Sequence, residues 1–300
     1  MIRIATRASA LARWQAERVG ALLGESGARE VEYVLVSTTG DRDQTSDLHV
    51  IGGQGVFTKE VQQAVLDGAA DVAVHSAKDL PTATPPGLVL ATVPERADPR
   101  DALVGAGFEG LVAGARIGTG SVRRRAQLAA ARPDLTFGPL RGNIQTRLRK
   151  REELGYDAIV VAYAALERLG LVDNSVDVLD VNVMLPQVAQ GALAAECRAD
   201  DARTIARLRA IDDRIAHRAV DTERAFLAEL GGGCDLPCGA LARVGGPDGG
   251  IVLDALLASL DGHVVLRTRV AGDDPVDVGT TAALDLLDGK GGRALMDDVA

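Results

Sequence analysis

Segments with the periodicity of β-strands alternate with segments that have the periodicity of helices from residue 2 to residue 169, and this alternation limits the fold more than any other feature. Short loops between such segments are typical of βαβ units, which build parallel sheets covered by helices and bind ligands at the carboxyl ends of the strands. The predicted strands are Ile2–Thr6, Glu32–Ser37, Asp71–His75, Leu88–Val93, Ala115–Gly118, Leu135–Pro139 and Asp157–Ala162. The predicted helices are Ala10–Leu23, Thr58–Leu66, Ser121–Ala131, Ile144–Glu153 and Tyr163–Leu169.

The last third of the chain has a different pattern. A long amphipathic helix is predicted at Arg214–Leu230, and glycines 231–233 follow it. Three strand-like segments with GGPDGG and DG turns between them then predict an antiparallel meander, closed by a helix near Val276–Leu287. A length of 300 residues suits two or three such compact units. The three strand segments are Ala240–Val244, Ile251–Ser259 and His263–Val270.

Composition excludes several classes of protein. A net charge of -9 and an aromatic content of 3% argue against a nucleic-acid binder. Three cysteines do not make a disulfide framework and fit a reducing compartment. We find no secretory signal, and the longest apolar run, Ala158–Leu166, is too short for a membrane span, so we expect a cytoplasmic protein without membrane contact. No nucleotide-binding glycine motif is complete and no metal-ligand spacing is convincing, so we expect no metal.

Positive charge is concentrated between residues 111 and 155, which carry +7, so that the remainder carries -16. The glycine-rich turn of GTGSVRRR opens a predicted helix, where free backbone N–H groups and Ser121, Arg123 and Arg124 can donate. Arg141 and Arg147 stand at the next strand-to-helix junction. A guanidinium group can donate two parallel hydrogen bonds to one carboxylate. The arginines of this region therefore predict a ligand with several carboxylates or phosphates. A solvated helix face is the alternative.

Two further positions have candidate chemistry. Lys78 and Asp79 follow the predicted strand DVAV, at a strand end where ligands bind, although a surface pair before a turn is the alternative. Cys234 follows three glycines that allow close backbone approach, so its thiol is a candidate nucleophile, with a buried apolar role as the alternative. Cys197 and Cys238 are predicted core or loop residues.

Taken together, nine segments resemble the porphobilinogen deaminase family, also called hydroxymethylbilane synthases. They occur in the family's order and span most of residues 1–239. The resemblance is therefore highly specific and depends on no single motif. The segments are RIATRASALARWQA, GGQGVFTKE, DVAVHSAKDLP, ERADPRDALV, GTGSVRRRAQL, RGNIQTRL, YDAIVVAYAALERLGL, LPQVAQGALAAECR and ELGGGCDLPCG.

The resemblance implies an α/β fold with three domains. Two periplasmic-binding-protein-like domains are expected to enclose a cleft, and a smaller α+β domain with a three-stranded antiparallel sheet is expected to carry the cofactor cysteine. The expected boundaries are 1–94 with 192–209 for domain 1, 100–186 for domain 2 and 214–300 for domain 3.

The resemblance also implies a reaction and its residues. The family's enzymes are transferases that join porphobilinogen units head to tail into the linear tetrapyrrole hydroxymethylbilane, with release of ammonia, in porphyrin and haem biosynthesis. They use a dipyrromethane cofactor held by a thioether, which the resemblance places on Cys234. Asp79 matches the catalytic aspartate. The residues matching cofactor-binding positions are Lys78, Ser121, Arg123 and Arg124, those matching substrate-binding positions are Arg7, Ser9, Arg141, Arg147 and Arg168, and those matching a mobile loop are Phe57 and Lys59.

The sequence also leaves an alternative function open. A non-enzymatic two-domain protein that binds a polycarboxylate would also explain the arginines, although it would explain neither Cys234 nor a third domain. We expect a monomer that acts on small-molecule porphobilinogen. Gln54 stands where many family members have lysine, which removes one cation from the loop, and Ala10 and Gly120 also depart from the common pattern.

Overall fold

The computed structural model describes residues 1–27, 30–42, 55–232, 236–246 and 248–297. Cys234 and Gln54 therefore lie outside the described residues. The chain divides into two compact units. Unit 1 consists of Met1–Ala97 and Ala192–Val220, and unit 2 consists of Asp98–Gly191 and Asp221–Ala300.

The helices and strands follow the predicted alternation over most of the chain. The strands are β1 (Ile2–Arg7), β2 (Val31–Val36), β3 (Val72–Ser76), β4 (Leu88–Thr92), β5 (Asp101–Gly105), β6 (Arg116–Gly118), β7 (Thr136–Gly138), β8 (Ala158–Ala162), β9 (Val176–Val178), β10 (Leu193–Arg198), β11 (Cys238–Val244), β12 (Ile251–Ala258) and β13 (Val265–Gly272). The helices are α1 (Ala10–Glu25), α2 (Thr39–Arg42), α3 (Lys59–Leu66), α4 (Val122–Ala131), α5 (Ile144–Glu153), α6 (Tyr163–Arg168), α7 (Ala202–Arg209), α8 (Arg214–Glu229), α9 (Pro275–Leu284) and α10 (Arg293–Asp297). Short 3₁₀ turns span Ala77–Asp79 and Phe108–Gly110, and a π-helical turn spans Asp285–Gly289.

The two five-stranded sheets formed by the described residues have the same organisation. In unit 1 the strand order is β2-β1-β3-β10-β4, and in unit 2 it is β7-β6-β8-β5-β9. The first three strands of each order are parallel to one another. The fourth strand, β10 or β5, runs antiparallel to both of its neighbours.

The prediction of parallel sheets is therefore wrong for β10 and β5. A parallel neighbour needs a crossover connection, usually a helix, whereas these two strands begin near the points where the chain passes from one unit to the other. Without a crossover helix they enter their sheets in the opposite direction. Neither strand, nor β9, was among the predicted strands.

Helices bury both faces of each five-stranded sheet, as buried α/β sheets require. In unit 1, Ile4 and Val72 pack with Val19 of α1 on one face, while Ala73 packs with Val61 of α3 on the other. In unit 2, the whole of β8 is buried, which explains its unbroken apolar sequence AIVVA. Leu128 of α4 packs on one face of that sheet and Leu166 of α6 on the other.

The predicted antiparallel meander is confirmed as a three-stranded sheet in the order β11-β12-β13. Pro275 opens α9, and Asp274 caps it by accepting from the backbone N–H groups of Val276 and Asp277. The α/β fold class is confirmed, with this separate small sheet lying in the same compact unit as the second five-stranded sheet. The division of that unit into domains 100–186 and 214–300 stays a prediction. None of the helices described is long and apolar enough to cross a membrane.

Candidate active site

The carboxyl ends of β1 and β3 place candidate residues at one edge of the unit 1 sheet. These strands are parallel neighbours, so Arg7 at the end of β1 and the turn after β3 lie at the same edge. A cavity of about 390 Å³, including space open to solvent, lies in this unit. Its lining residues are Arg7, Ser9, Leu11, Ala12, Gln15, Phe57, Thr58, Val74, His75, Ser76 and Asp79. The structure therefore brings Arg7, Ser9, Phe57 and Asp79 together at one cavity.

The start of α1 fixes one wall of the cavity. Ser9 is the N-cap, and its hydroxyl accepts a hydrogen bond of 3.3 Å from the backbone N–H of Ala12. One turn further on, the amide of Gln15 donates to the hydroxyl of Ser76 at 2.7 Å, which ties α1 to the end of β3. The wall therefore consists of a capped helix start held against a buried strand.

Phe57 and Arg7 form another part of the lining. The guanidinium carbon of Arg7 lies 4.3 Å from the centre of the Phe57 ring, which is a cation–π contact. Lys59 is the exposed first residue of α3 and is not among the lining residues. Of the two residues assigned to a mobile loop, the structure thus places Phe57 in the cavity and Lys59 at the surface.

Lys78 and Asp79 lie in the 3₁₀ turn that follows β3, and both are partly exposed. The turn is anchored at its start, because the backbone N–H of Ala77 donates to the carbonyl of Ala192 at 3.1 Å. It closes where the N–H of Leu80 donates to the carbonyl of Ala77 at 3.2 Å. A short anchored turn holds the Asp79 carboxylate at the cavity without burying it.

In unit 2, the ends of β6 and β7 carry the second group of candidates. Ser121 caps α4 by accepting from the N–H of Arg124, and Asn143 caps α5 in the same way. Gly120, immediately before Ser121, is tightly placed, since a Cβ atom there would lie 2.9 Å from the carbonyl oxygen of Leu140. Arg147 points back to this junction, where its Nε donates to the carbonyl of Gly142 at 2.8 Å.

Arg123 and Arg124 are buried around one carboxylate, that of Asp101 at the start of β5. Asp101 is fully buried, and the two arginines are 3% and 5% exposed. Arg124 donates to one oxygen of Asp101 through Nε at 3.0 Å and Nη2 at 2.7 Å, and its Nη1 donates to the carbonyl of Val160 at 3.0 Å. Nη1 of Arg123 lies 2.8 Å from the other carboxylate oxygen.

The pKa values of Asp101 and Arg124 in this cluster are both lower than usual. Burial alone would raise the pKa of Asp101, but the positive charges of Arg123 and Arg124 outweigh it and hold that pKa well below its usual range. Burial lowers the pKa of Arg124, and the Asp101 carboxylate opposes that shift. One buried carboxylate thus faces two buried guanidinium groups.

Nη2 of Arg123 and Nη1 of Arg141 are buried guanidinium nitrogens of unit 2 that have no hydrogen-bond acceptor among the described residues. Buried donors are normally satisfied, so both atoms fit an anionic ligand that supplies the acceptor. Arg168 donates through Nη2 to the carbonyl of Gly191 at 2.7 Å, and burial lowers its pKa to about 10. Carboxylate-bearing pyrroles such as dipyrromethane match this donor set.

Other basic residues of the 111–155 region face solvent and bind local partners. Arg132 pairs with Asp134, and Arg149 pairs with Glu153 one helical turn away. Arg116 stacks on the ring of Tyr156, with 4.7 Å between the guanidinium carbon and the ring centre. The solvated-face alternative is therefore correct for these three arginines, whereas Arg123, Arg124 and Arg141 have buried nitrogens.

Two residues that shape these sites were not among the predicted candidates. Asp101 stands in ERADPRDALV and is the partner of both buried arginines. His75 stands in a predicted buried strand, where a polar side chain among apolar neighbours is the available signal. Cys197 and Cys238 are buried, as predicted, and burial raises the pKa of the Cys197 thiol to about 11. No group of three or more potential ligands able to hold a metal ion occurs in the part of the chain that the structure describes.

Comparison with known proteins decides the family. Residues 2–206 match the model described as porphobilinogen deaminase, dipyromethane cofactor binding domain, and residues 217–288 match the porphobilinogen deaminase C-terminal domain. The chain belongs to the porphobilinogen deaminase family. It is a transferase of tetrapyrrole biosynthesis that builds hydroxymethylbilane from porphobilinogen, and its cofactor is dipyrromethane.

Individual relatives match nearly the whole chain. The porphobilinogen deaminase of Roseiflexus sp. (strain RS-1) is 46% identical over 298 residues, covering 98% of this chain and 97% of that one. The porphobilinogen deaminase of Syntrophus aciditrophicus (strain SB) is 43% identical, covering 99% of this chain and 98% of that one. A solved aliphatic sulphonate binding protein from Escherichia coli has a TM-score of 0.40 at 13% identity, covering 76% of this chain and 69% of that one, which is too weak to bear on the site. The alternative of a non-enzymatic binding protein is not favoured.

Proposed function

We propose that the unit 1 cavity is where porphobilinogen loses ammonia and that Asp79 is the catalytic carboxylate. The observation that supports this is the common cavity of Asp79, Arg7 and Ser9, which puts one acceptor beside donors suited to the substrate's carboxylates. Arg7 and Ser9 hold those carboxylates, and Phe57 keeps Arg7 in place by stacking under its guanidinium group.

Asp79 acts on positive charge that develops in the reaction. Loss of ammonia from the aminomethyl group of porphobilinogen leaves an electron-poor azafulvenium cation. At about 4 Å, an opposite unit charge is worth about 4 kcal/mol where the effective dielectric constant is about 20. The carboxylate therefore stabilises the cation, and it can also hold the proton of the pyrrole nitrogen.

Arginines supply the remaining recognition, because every pyrrole ring of the growing chain carries two carboxylates. Arg141, Arg147 and Arg168 bind substrate-derived carboxylates, and the buried Nη1 of Arg141, which has no acceptor among the described residues, gains one from this ligand. The cofactor supplies the pyrrole primer to which the first substrate unit is joined. Its attachment residue is Cys234, and its carboxylates are held by Lys78, Ser121, Arg123 and Arg124.

The proposal extends to the organisation of the protein. Domain 1 comprises 1–94 with 192–209, domain 2 comprises 100–186, and domain 3 comprises 214–300. The protein acts as a cytoplasmic monomer.

Incubation with porphobilinogen tests the activity directly. We expect the purified protein to release one ammonia for every porphobilinogen consumed and to form a product that turns into coloured porphyrin after acidification and oxidation. Ammonia is measured by a coupled assay and the porphyrin by absorbance. Binding of porphobilinogen without ammonia release would contradict the proposal and would favour the binding-protein alternative.

The attachment site is tested by intact mass spectrometry. We expect the wild-type protein to exceed its sequence mass by two pyrrole units and Cys234→Ser to have the sequence mass alone, because a hydroxyl does not form the thioether. Cys238→Ser is the matched control, since Cys238 lies four residues away and is buried at the start of β11. A pyrrole adduct retained by Cys234→Ser, or lost from Cys238→Ser in its place, would overturn the assignment.

A further inference from the structure

His75 is a buried histidine with a carboxylate beside it. It lies on β3, is 5% exposed, and has its Nε2 atom 3.3 Å from Oε2 of Glu196 on β10. In the antiparallel register His75 stands opposite Ala194 and Ala73 opposite Glu196, so the histidine and the glutamate are diagonal neighbours on one face of the sheet. The sheet itself therefore sets this pairing.

Glu196 is held in place from the other side. The amide of Gln62, on α3, donates to the same Oε2 atom of Glu196 at 2.7 Å. Gln62 is 3% exposed and Glu196 is 1% exposed. A buried carboxylate that faces one ring nitrogen fixes the orientation of an imidazole and stabilises its protonated form, while the other nitrogen stays available as a base.

His75 is also one of the residues that line the cavity containing Asp79. His75 contributes an imidazole to the cavity lining, and Asp79 contributes a carboxylate. Because Nε2 lies beside the Glu196 carboxylate, we assign the role of proton acceptor to the other ring nitrogen, Nδ1. Asp79 and His75 thus give one cavity two proton acceptors of different chemistry.

The reaction has a use for a second acceptor. When the α-carbon of one pyrrole ring bonds to the methylene carbon of the next, a carbon–carbon bond forms and the positive charge moves onto the attacking ring. That ring recovers its aromaticity only when the same α-carbon releases its hydrogen as a proton. Asp79 is meanwhile occupied with the cation and the pyrrole N–H.

We propose that His75 accepts this α-carbon proton at Nδ1 and that Glu196, held by Gln62, is the positioning residue that stabilises the imidazolium formed. The proton then passes to solvent and the electron pair of the C–H bond returns to the ring. This inference rests on the proposed function of the cavity, because it assigns the second proton transfer to the same site.

An isotope effect tests the assignment. Porphobilinogen carrying deuterium at its free α-carbon is compared with unlabelled porphobilinogen on the cofactor-loaded enzyme. We expect His75→Asn to lower kcat about 100-fold, with KM and cofactor mass unchanged. Because proton removal becomes rate-limiting in this variant, its primary isotope effect on kcat should be larger than that of the wild type. Glu196→Gln should show the same pattern and decides the matter alone if His75→Asn does not fold.

His217→Asn is the matched control, because His217 also pairs with a carboxylate, that of Asp212 at 2.7 Å, but does not line the cavity. It should leave kcat and the isotope effect at their wild-type values. A wild-type kcat in His75→Asn and Glu196→Gln, or a reduced kcat without an increased isotope effect, would overturn this inference while leaving the role of Asp79 intact. An active Asp79→Asn enzyme would instead contradict the proposed function itself.

Discussion

Replacing Asp79 by asparagine is expected to lower kcat about a thousandfold while the fold and the cofactor mass stay unchanged. Asparagine has nearly the same shape but no charge, so the cation formed by loss of ammonia loses its counter-charge. The electrostatic contribution of about 4 kcal/mol corresponds to about three powers of ten in rate. The partly exposed position of Asp79 in a short turn means that the substitution buries no unsatisfied group.

The measurement is the rate of ammonia release at saturating porphobilinogen, with intact mass and thermal unfolding recorded on the same preparation. Asp67→Asn is the matched control, since Asp67 is an exposed aspartate of the same unit that ends α3. It makes the same change of charge away from the cavity and should leave kcat unchanged. A loss below tenfold in Asp79→Asn would show that another group supplies the counter-charge.

The elements that sequence predicts best here are those whose pattern is local. Helix α5 was predicted with its observed bounds, Ile144–Glu153, because a cap residue and the helical period lie within the segment itself. Strands β5 and β10 were missed, because their direction and neighbours depend on where the chain re-enters a sheet. Propensity does not encode such long-range pairing.

The same distinction applies to the candidate site. Asp79 was predicted because it follows a strand, at a sheet edge where ligands bind, whereas Arg7 was predicted from the family resemblance alone. The structure places both at one edge, because β1 and β3 are parallel neighbours. Asp101 and Glu196 were missed because each acts through a residue far along the chain: Glu196 meets Gln62 across 134 positions. The charge of residues 111–155 likewise could not separate Arg132, which binds Asp134 at the surface, from Arg123, which is buried.

The largest expected effect on stability comes from Asp101, the single carboxylate between Arg123 and Arg124. Asp101→Asn removes the counter-charge of two buried guanidinium groups, and breaking a buried ion pair by removing one partner costs about 3–5 kcal/mol. We expect the free energy of unfolding at pH 7, measured by urea titration, to fall by that amount. Asp288→Asn is the matched control, because its pair with Arg293 lies at the surface with both side chains more than half exposed, and such pairs contribute little.

The pH dependence of stability separates loss of this charge from loss of packing. Since the pKa of Asp101 is lower in the folded protein than in the unfolded chain, its contribution is fully present above the unfolded value of about 3.9 and disappears as the pH falls through the lower folded value. The wild type should therefore lose stability steeply below about pH 5, whereas Asp101→Asn should show a shallower loss, so the two unfolding curves converge towards acid. Parallel curves at all pH values would mean that Asp101 stabilises the fold through its shape and hydrogen bonds rather than through its charge, and the buried arginines would then need another counter-ion.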